Sequence, residues 1–205
     1  MAEGASNHKK ADTNELVDSK TLKQAEGIGV FDEQGNERPF GGLVRHGTVC
    51  VVFIRHFGCS FCQSYIAGLK KILTQDNLGD RKLLVVGCGH WSVIKAYKEL
   101  LDCPFPIYSD NTRKLFDALS MIANLGFGDS KTQGHYITES LPSAILTSVV
   151  NTFKMGTKTF FQAGKMDQLG GEFIFQKGQC VFAHRMRTTR DHTEPEDLKE
   201  RLLEI

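Results

Sequence analysis

The 205-residue chain has almost no excess charge of either sign: 25 Lys and Arg stand against 24 Asp and Glu, for a formal net charge of +1. That balance supplies no field for gripping a phosphate backbone, so nucleic acid is excluded as an expected partner. No apolar run approaches the roughly 20 residues that cross a bilayer, so no membrane span is expected. The first twenty residues lack the apolar core of a secretory leader, and a soluble, cytoplasmic protein is expected. Neither a G-x-G-x-x-G nor a P-loop is present, and no nucleotide, flavin or other cofactor is required. Repeats and low-complexity tracts are also missing. With 40% hydrophobic and 24% charged residues, this is ordinary globular composition, long enough to bury one sizeable core.

Cysteine is present six times, at positions 50, 59, 62, 88, 103 and 180. An even count suggests three disulfides only in short secreted chains, and this chain is neither, so reduced thiols are expected. Cys59 and Cys62 alone form a C-x-x-C, which in a reducing compartment points to redox or metal chemistry.

The hydrophobic pattern sets out the elements. Residues 1–24 read as a flexible N-terminal arm or marginal helix, and residues 25–205 as one domain. A short strand is expected over 25–31, closed by turn residues 32–36. Residues 47–55 form a β-branched run of the kind buried on both faces. A helix follows over 60–73, with Tyr65, Ile66, Leu69, Ile72 and Leu73 on one stripe. Strands at 82–87 and 105–108 alternate with helices at 91–101 and 111–119, the last with Asn111 as N-cap. Residues 121–140 read as a surface loop and 140–153 as a helix. Two strands, 172–175 and 180–183, flank the hairpin signal Gln176-Lys177-Gly178-Gln179. Thr193 and Glu196 form a T-x-x-E capping box that opens a terminal helix. Parallel β-α units followed by an antiparallel hairpin and a closing helix describe an α/β, thioredoxin-like sandwich, a mixed central sheet with helices on both faces.

Cys59 stands just after the strongest strand, at the mouth of a helix. Helix N-terminal N–H groups stabilise a thiolate there, so Cys59 is the expected nucleophile and Cys62, one turn in, the resolving thiol. Arg55 and His56 immediately precede the motif and are expected to add positive potential. Gly87-Cys88-Gly89-His90 ends the next strand, at the edge where open sheets gather ligands. Cys88 and His90 therefore offer an extra thiol, a general base or, with Cys59 and Cys62, four zinc ligands, and ahead of these Cys88 reads as a small buried hydrophobe. Cys50, Cys103 and Cys180 read as core. Arg185, Arg187 and Arg190 are either a solvated turn or the source of one arginine, Arg187 among the site candidates, that orients an anionic or peroxide substrate. His46 and His135 show no sequence-evident partner. The apolar residues Phe153, Met155, Phe160, Phe161, Met166 and Leu169 suggest a substrate pocket or a homodimer seam.

The segment Phe53-Ile54-Arg55-His56-Phe57-Gly58-Cys59-Ser60-Phe61-Cys62 resembles the peroxiredoxin-like branch of the alkyl hydroperoxide reductase/thiol-specific antioxidant superfamily. So do Gln168-Leu169-Gly170-Gly171-Glu172-Phe173 and the Asp191-His192 turn, and the resemblance spans residues 25–203. It implies a thioredoxin fold and thiol-dependent reduction of a peroxide, endoperoxide or disulfide, with no metal and with thioredoxin or glutathione as external reductant. Ile54, Arg55 and Gly58 stand where typical peroxiredoxins carry P-x-x-x-T-x-x-C, which favours a specialised thiol reductase over a generic peroxidase. The alternative is a thioredoxin-fold protein recruited to a non-redox role, either a binding module or a biosynthetic enzyme acting through His56, His90 or Arg187.

Overall fold

The computed structural model describes residues 12–126, 128, 134–137, 141–154, 156 and 159–205. The elements run α1 (Ser19–Glu26), β1 (Gly29–Phe31), β2 (Glu37–Pro39), α2 (Phe40–Val44), β3 (Thr48–Ile54), α3 (Ser60–Ile72), α4 (Gln75–Leu78) and β4 (Lys82–Gly87). A 3-10 turn (Trp91–Val93) leads into α5 (Ile94–Leu101), then β5 (Ile107–Ser109), α6 (Lys114–Ala118), α7 (Leu141–Lys154), α8 (Thr159–Gln162), β6 (Gly171–Gln176), β7 (Gln179–Arg185) and α9 (Pro195–Glu204). The seven strands form one mixed sheet in the order β2-β1-β5-β4-β3-β6-β7. This is the thioredoxin-like fold.

The pleat of β3 divides the interior. Successive side chains point to opposite faces. Cys50, Val52 and Ile54 enter a core shared with Ile66 and Leu69 of α3, Tyr97 of α5 and Leu198 of α9. Val49, Val51 and Phe53 enter a second core with Leu22 and Ala25 of α1, Phe40 of α2 and Phe116 of α6. β3 pairs parallel with β4 and antiparallel with β6, opposite Gly171–Gln176. The β6–β7 hairpin turns through Lys177 (φ 48°) and Gly178 (φ 77°), and positive φ at both central residues is what a type I′ turn requires.

Several boundaries differ from expectation for local reasons. Residues 12–24 are not a loose arm: Asp18 caps α1 through Thr21 N–H at 2.8 Å, and Val17 and Leu22 are buried. Ala25 therefore belongs to α1, and β1 starts only at Gly29. The added strand β2 is exposed throughout and pairs with β1 alone, an edge position that tolerates Pro39. Asn111 does not cap α6. The Asp110 carboxylate accepts from Leu115 N–H at 2.8 Å instead, and Arg113 stands at the cap with φ 61°. The capping box at α9 does not form either, because the Thr193 hydroxyl bonds Glu172 at 3.1 Å. The expected 121–140 loop lies partly outside the described residues.

Candidate active site

The C-terminal end of β3 delivers Arg55 and His56 to the mouth of α3, where Cys59 is the N-cap residue, with φ −78° and ψ 113°. Cys59 is 3% exposed and Cys62 fully buried, and both are free thiols. The Arg55 guanidinium is held by main-chain carbonyls, with Nε on Gln168 O at 3.2 Å and Nη2 on Met166 O at 2.5 Å. Its Nη1 then reaches the Cys59 sulfur at 3.3 Å. A fork of fixed donors has been bound at two prongs, leaving the third for the sulfur. The Arg55 backbone N–H meets the Cys62 sulfur at 3.4 Å.

These neighbours separate the two thiols. A hydrogen bond from the Cys62 thiol and the Arg55 charge hold Cys59 well below the usual thiol range, against the opposing effect of burial. Burial, the bond to Cys59 and the charge on Cys59 push Cys62 well above it. The surroundings therefore favour ionisation at Cys59 and the protonated form at Cys62.

His56 departs from expectation. It is buried, its Nδ1 has no hydrogen-bond partner among the described residues, and burial pushes it down to about 4. It is therefore neutral near pH 7 and adds no full positive charge there. Cys88 is held differently from Cys59. Its sulfur meets the Arg55 carbonyl at 2.9 Å, and burial pushes it up to about 11. His90 caps the 3-10 turn, with Nδ1 accepting from Ser92 N–H. Cys59, Cys62, Cys88 and His90 are thus not gathered around one point; among the described residues no three metal-ligating side chains are.

The arginines at and beyond the end of β7 separate as well. Arg185 is buried and donates to the carbonyls of Leu119, Asp12 and Glu15. Arg190 lies over the Phe61 ring at 5.5 Å. Arg187 faces solvent and pairs with Asp191 at 3.6 Å. His135 does have a partner, Glu194, at 3.2 Å.

Among the described residues, the apolar segment borders the site through backbone carbonyls. Gln162 O accepts from His90 N–H and Ala163 O from Phe57 N–H, ahead of the two carbonyls on Arg55. Leu169 is buried, whereas Phe161 is 90% and Met166 67% exposed. Met155 and the side chains of Phe153 and Phe160 lie outside the described residues.

Two residues that carried no role in the sequence reading complete the surroundings. Glu172 of β6 is fully buried and shares with Ile174 the sheet face that packs on α3. Its carboxylate bonds His192 Nδ1 at 2.5 Å, and His192 Nε2 lies 3.4 Å from the Cys62 sulfur. A carboxylate inside the apolar run Glu172-Phe173-Ile174-Phe175, at a core-facing position, is the signal that marks it.

The sequence profile of the AhpC/TSA antioxidant enzyme family matches residues 68–188, a span that begins just after the C-x-x-C. The chain is 33% identical over 168 residues to human "Peroxiredoxin-like 2C", covering 80% of this chain and 72% of that one. A solved structure of the bacterioferritin comigratory protein of Xanthomonas campestris, studied for alkyl peroxide reduction, superposes with a TM-score of 0.55 at 11% identity, covering 89% of this chain and 91% of that one. A secreted disulfide oxidoreductase of Mycobacterium tuberculosis gives 0.51 at 7% identity, covering 92% and 100%. Both structures bear on the fold alone, and the sequence matches carry the assignment: the chain belongs to the AhpC/TSA antioxidant enzyme family.

Proposed function

We propose that the protein is a thiol-dependent reductase in which the Cys59 thiolate attacks the O–O bond of a hydroperoxide. The sulfur gains oxygen as a sulfenic acid, the O–O bond breaks, and the departing alkoxide takes a proton to leave as an alcohol. Cys62 then attacks the oxidised sulfur, closing a Cys59–Cys62 disulfide with loss of water. An external dithiol of the thioredoxin type, or glutathione, restores both thiols. The observation that carries this reading is the Arg55 donor at 3.3 Å from the Cys59 sulfur at the mouth of α3. A sulfur only 3% exposed admits a slender terminal peroxide more readily than a folded disulfide partner. The human relative's name and the alkyl peroxide activity of the Xanthomonas protein support the same chemistry.

The test is stopped-flow consumption of hydrogen peroxide, a bulky organic hydroperoxide, an endoperoxide and a small disulfide by the reduced protein. Cys59→Ser is expected to abolish consumption. Cys62→Ser is expected to keep one turnover and stop at the sulfenic acid. Equal consumption by wild type and Cys59→Ser would sink the reading, and a preference for the disulfide would move the substrate class.

A further inference from the structure

Beyond this dithiol reading, and resting on it, lies a chain of three buried side chains from distant parts of the sequence. Glu172 comes from β6, His192 from the turn before α9, and Cys62 from the first turn of α3. We infer that Glu172 and His192 form a proton relay for the resolving thiol: His192 Nε2 takes the Cys62 proton as Cys62 attacks Cys59, and Glu172 positions the imidazole and stabilises its charge.

The geometry defines each role. The Glu172 carboxylate accepts the His192 Nδ1 proton through Oε1, and its Oε2 accepts from Thr193 N–H at 3.2 Å and the Thr193 hydroxyl at 3.1 Å. A charged carboxylate in the core with these donors is satisfied, which is the condition for keeping it there. With Nδ1 donating, the Nε2 lone pair is the one that faces Cys62. The ring is held flat against Tyr65 at 4.3 Å with a 6° interplanar angle. The Tyr136 hydroxyl accepts His192 N–H at 3.1 Å and donates to the Arg190 carbonyl. Thus Cys62 and Tyr65 of α3, Tyr136 of the loop and Glu172 of β6 face the imidazole, and Glu172 brings the negative charge.

The relay also answers a problem in the resting site. The Cys62 proton is bonded to the Cys59 thiolate and helps keep it ionised, yet Cys62 must lose that proton before it can attack. Once Cys59 is oxidised its negative charge is gone, and His192 Nε2, 3.4 Å away, is an acceptor for the proton among the described residues. In the closing step the Cys62–S–H bond breaks toward Nε2 and the S–S bond forms. The Cys59 leaving group departs as hydroxide or thiolate and collects the proton from the imidazolium. Cys59 sulfenic acid plus Cys62 thiol gives disulfide plus water, and no further reactant enters. His192 is a catalytic residue in this step and Glu172 a positioning residue.

The two steps can be read separately with 2,2′-dithiodipyridine, which needs no knowledge of the natural substrate. Attack by Cys59 releases one pyridinethione, and closure by Cys62 releases the second; Cys62→Ser gives the first phase only. In His192→Asn the first phase is expected to stay within about twofold while the second slows by about 100-fold, the usual scale of lost general-base catalysis. The pH profile separates a base from a prop. Closure in His192→Asn is expected to rise about tenfold per pH unit, because hydroxide must do the work, a steeper dependence than that of the wild type. Glu172→Gln, which keeps the shape but not the charge, is expected to fall between the two and carries the test if His192→Asn disturbs the first phase. A second phase unchanged in both variants overturns the relay and leaves the dithiol reading intact. Absence of a second phase in the wild type overturns the dithiol reading and the relay with it.

Discussion

Two buried arginines, Arg185 at the end of β7 and Arg55 just after β3, are bound in nearly the same way and differ in what their last donor meets. Arg185 lies over Phe173 at 5.2 Å on the face that carries α1 and α6, and spends its donors on Leu119, Asp12 and Glu15 carbonyls. It pins the N-terminal segment to the end of β7. Arg55 is clamped by the Gln168 and Met166 carbonyls, but its remaining donor points at a sulfur. In both cases the buried cation is satisfied by main-chain oxygens, and the difference lies in what the last N–H meets. Structure and chemistry here use one device, and a single acceptor decides between them.

Arg55→Met breaks the comparison most severely. An opposite charge within about 4–6 Å lowers a pKa by roughly 1–3 units, so loss of Arg55 is expected to cut Cys59 alkylation by iodoacetamide near pH 7 about 10- to 100-fold. Arg55→Lys recovers part of that rate by restoring a charge without the fork. Arg185→Met is expected to leave alkylation unchanged while costing about 3 kcal/mol in denaturant unfolding, because three carbonyls lose a donor. If the two variants exchanged phenotypes, the assignment of roles would be reversed.

The histidine between Arg55 and Cys59 sharpens the picture through pH. His56 holds its proton only below about 4 in the folded state, against a normal value of 6.5. Between those limits the unfolded chain binds the extra proton, so stability rises with pH across the window and is lost as pH falls from 6.5 toward 4. The depression corresponds to about 3 kcal/mol. Urea unfolding of His56→Gln at pH 7 and pH 4 should show an acid loss smaller than wild type by about that amount. An identical acid loss in the two proteins would mean that His56 charges freely in the folded state.

How much of this is legible in the sequence depends on whether the signal is local. β3 and α3 announce themselves by an apolar run and a 3.6-residue stripe, and the C-x-x-C sits at their junction, so Cys59, Cys62 and Arg55 follow from neighbours within a few residues. Glu172 and His192 are twenty residues apart, and His192 meets Cys62 across 130 positions. Only the strand register and the sheet face bring them together. The Thr193 error has the same origin: a sound local capping signal loses to a distant carboxylate that needs the hydroxyl more. Arg185 and Arg187 alternate at the end of β7, and the sequence carries no mark of which one turns inward. Arg185 is the buried one, and Arg187 is left to Asp191.

Cys88 offers the finest contrast with Cys59, and the smallest expected effect. Both sulfurs touch Arg55, Cys59 through the guanidinium and Cys88 through the carbonyl, with the Cys88 thiol as donor. A donated S–H toward an oxygen, together with burial, favours the protonated form, whereas a cation favours the thiolate. The same residue therefore faces a sulfur held low on one side and a sulfur held high on the other. Cys88→Ala is expected to leave peroxide consumption within about twofold and to cost about 1 kcal/mol, the scale of one weak buried hydrogen bond and a small volume. Mass-spectrometric mapping after peroxide treatment should find oxidation at Cys59 and Cys62 and none at Cys88. Oxidation at Cys88 before Cys59 would show that the Arg55 fork, rather than its carbonyl, is the incidental contact.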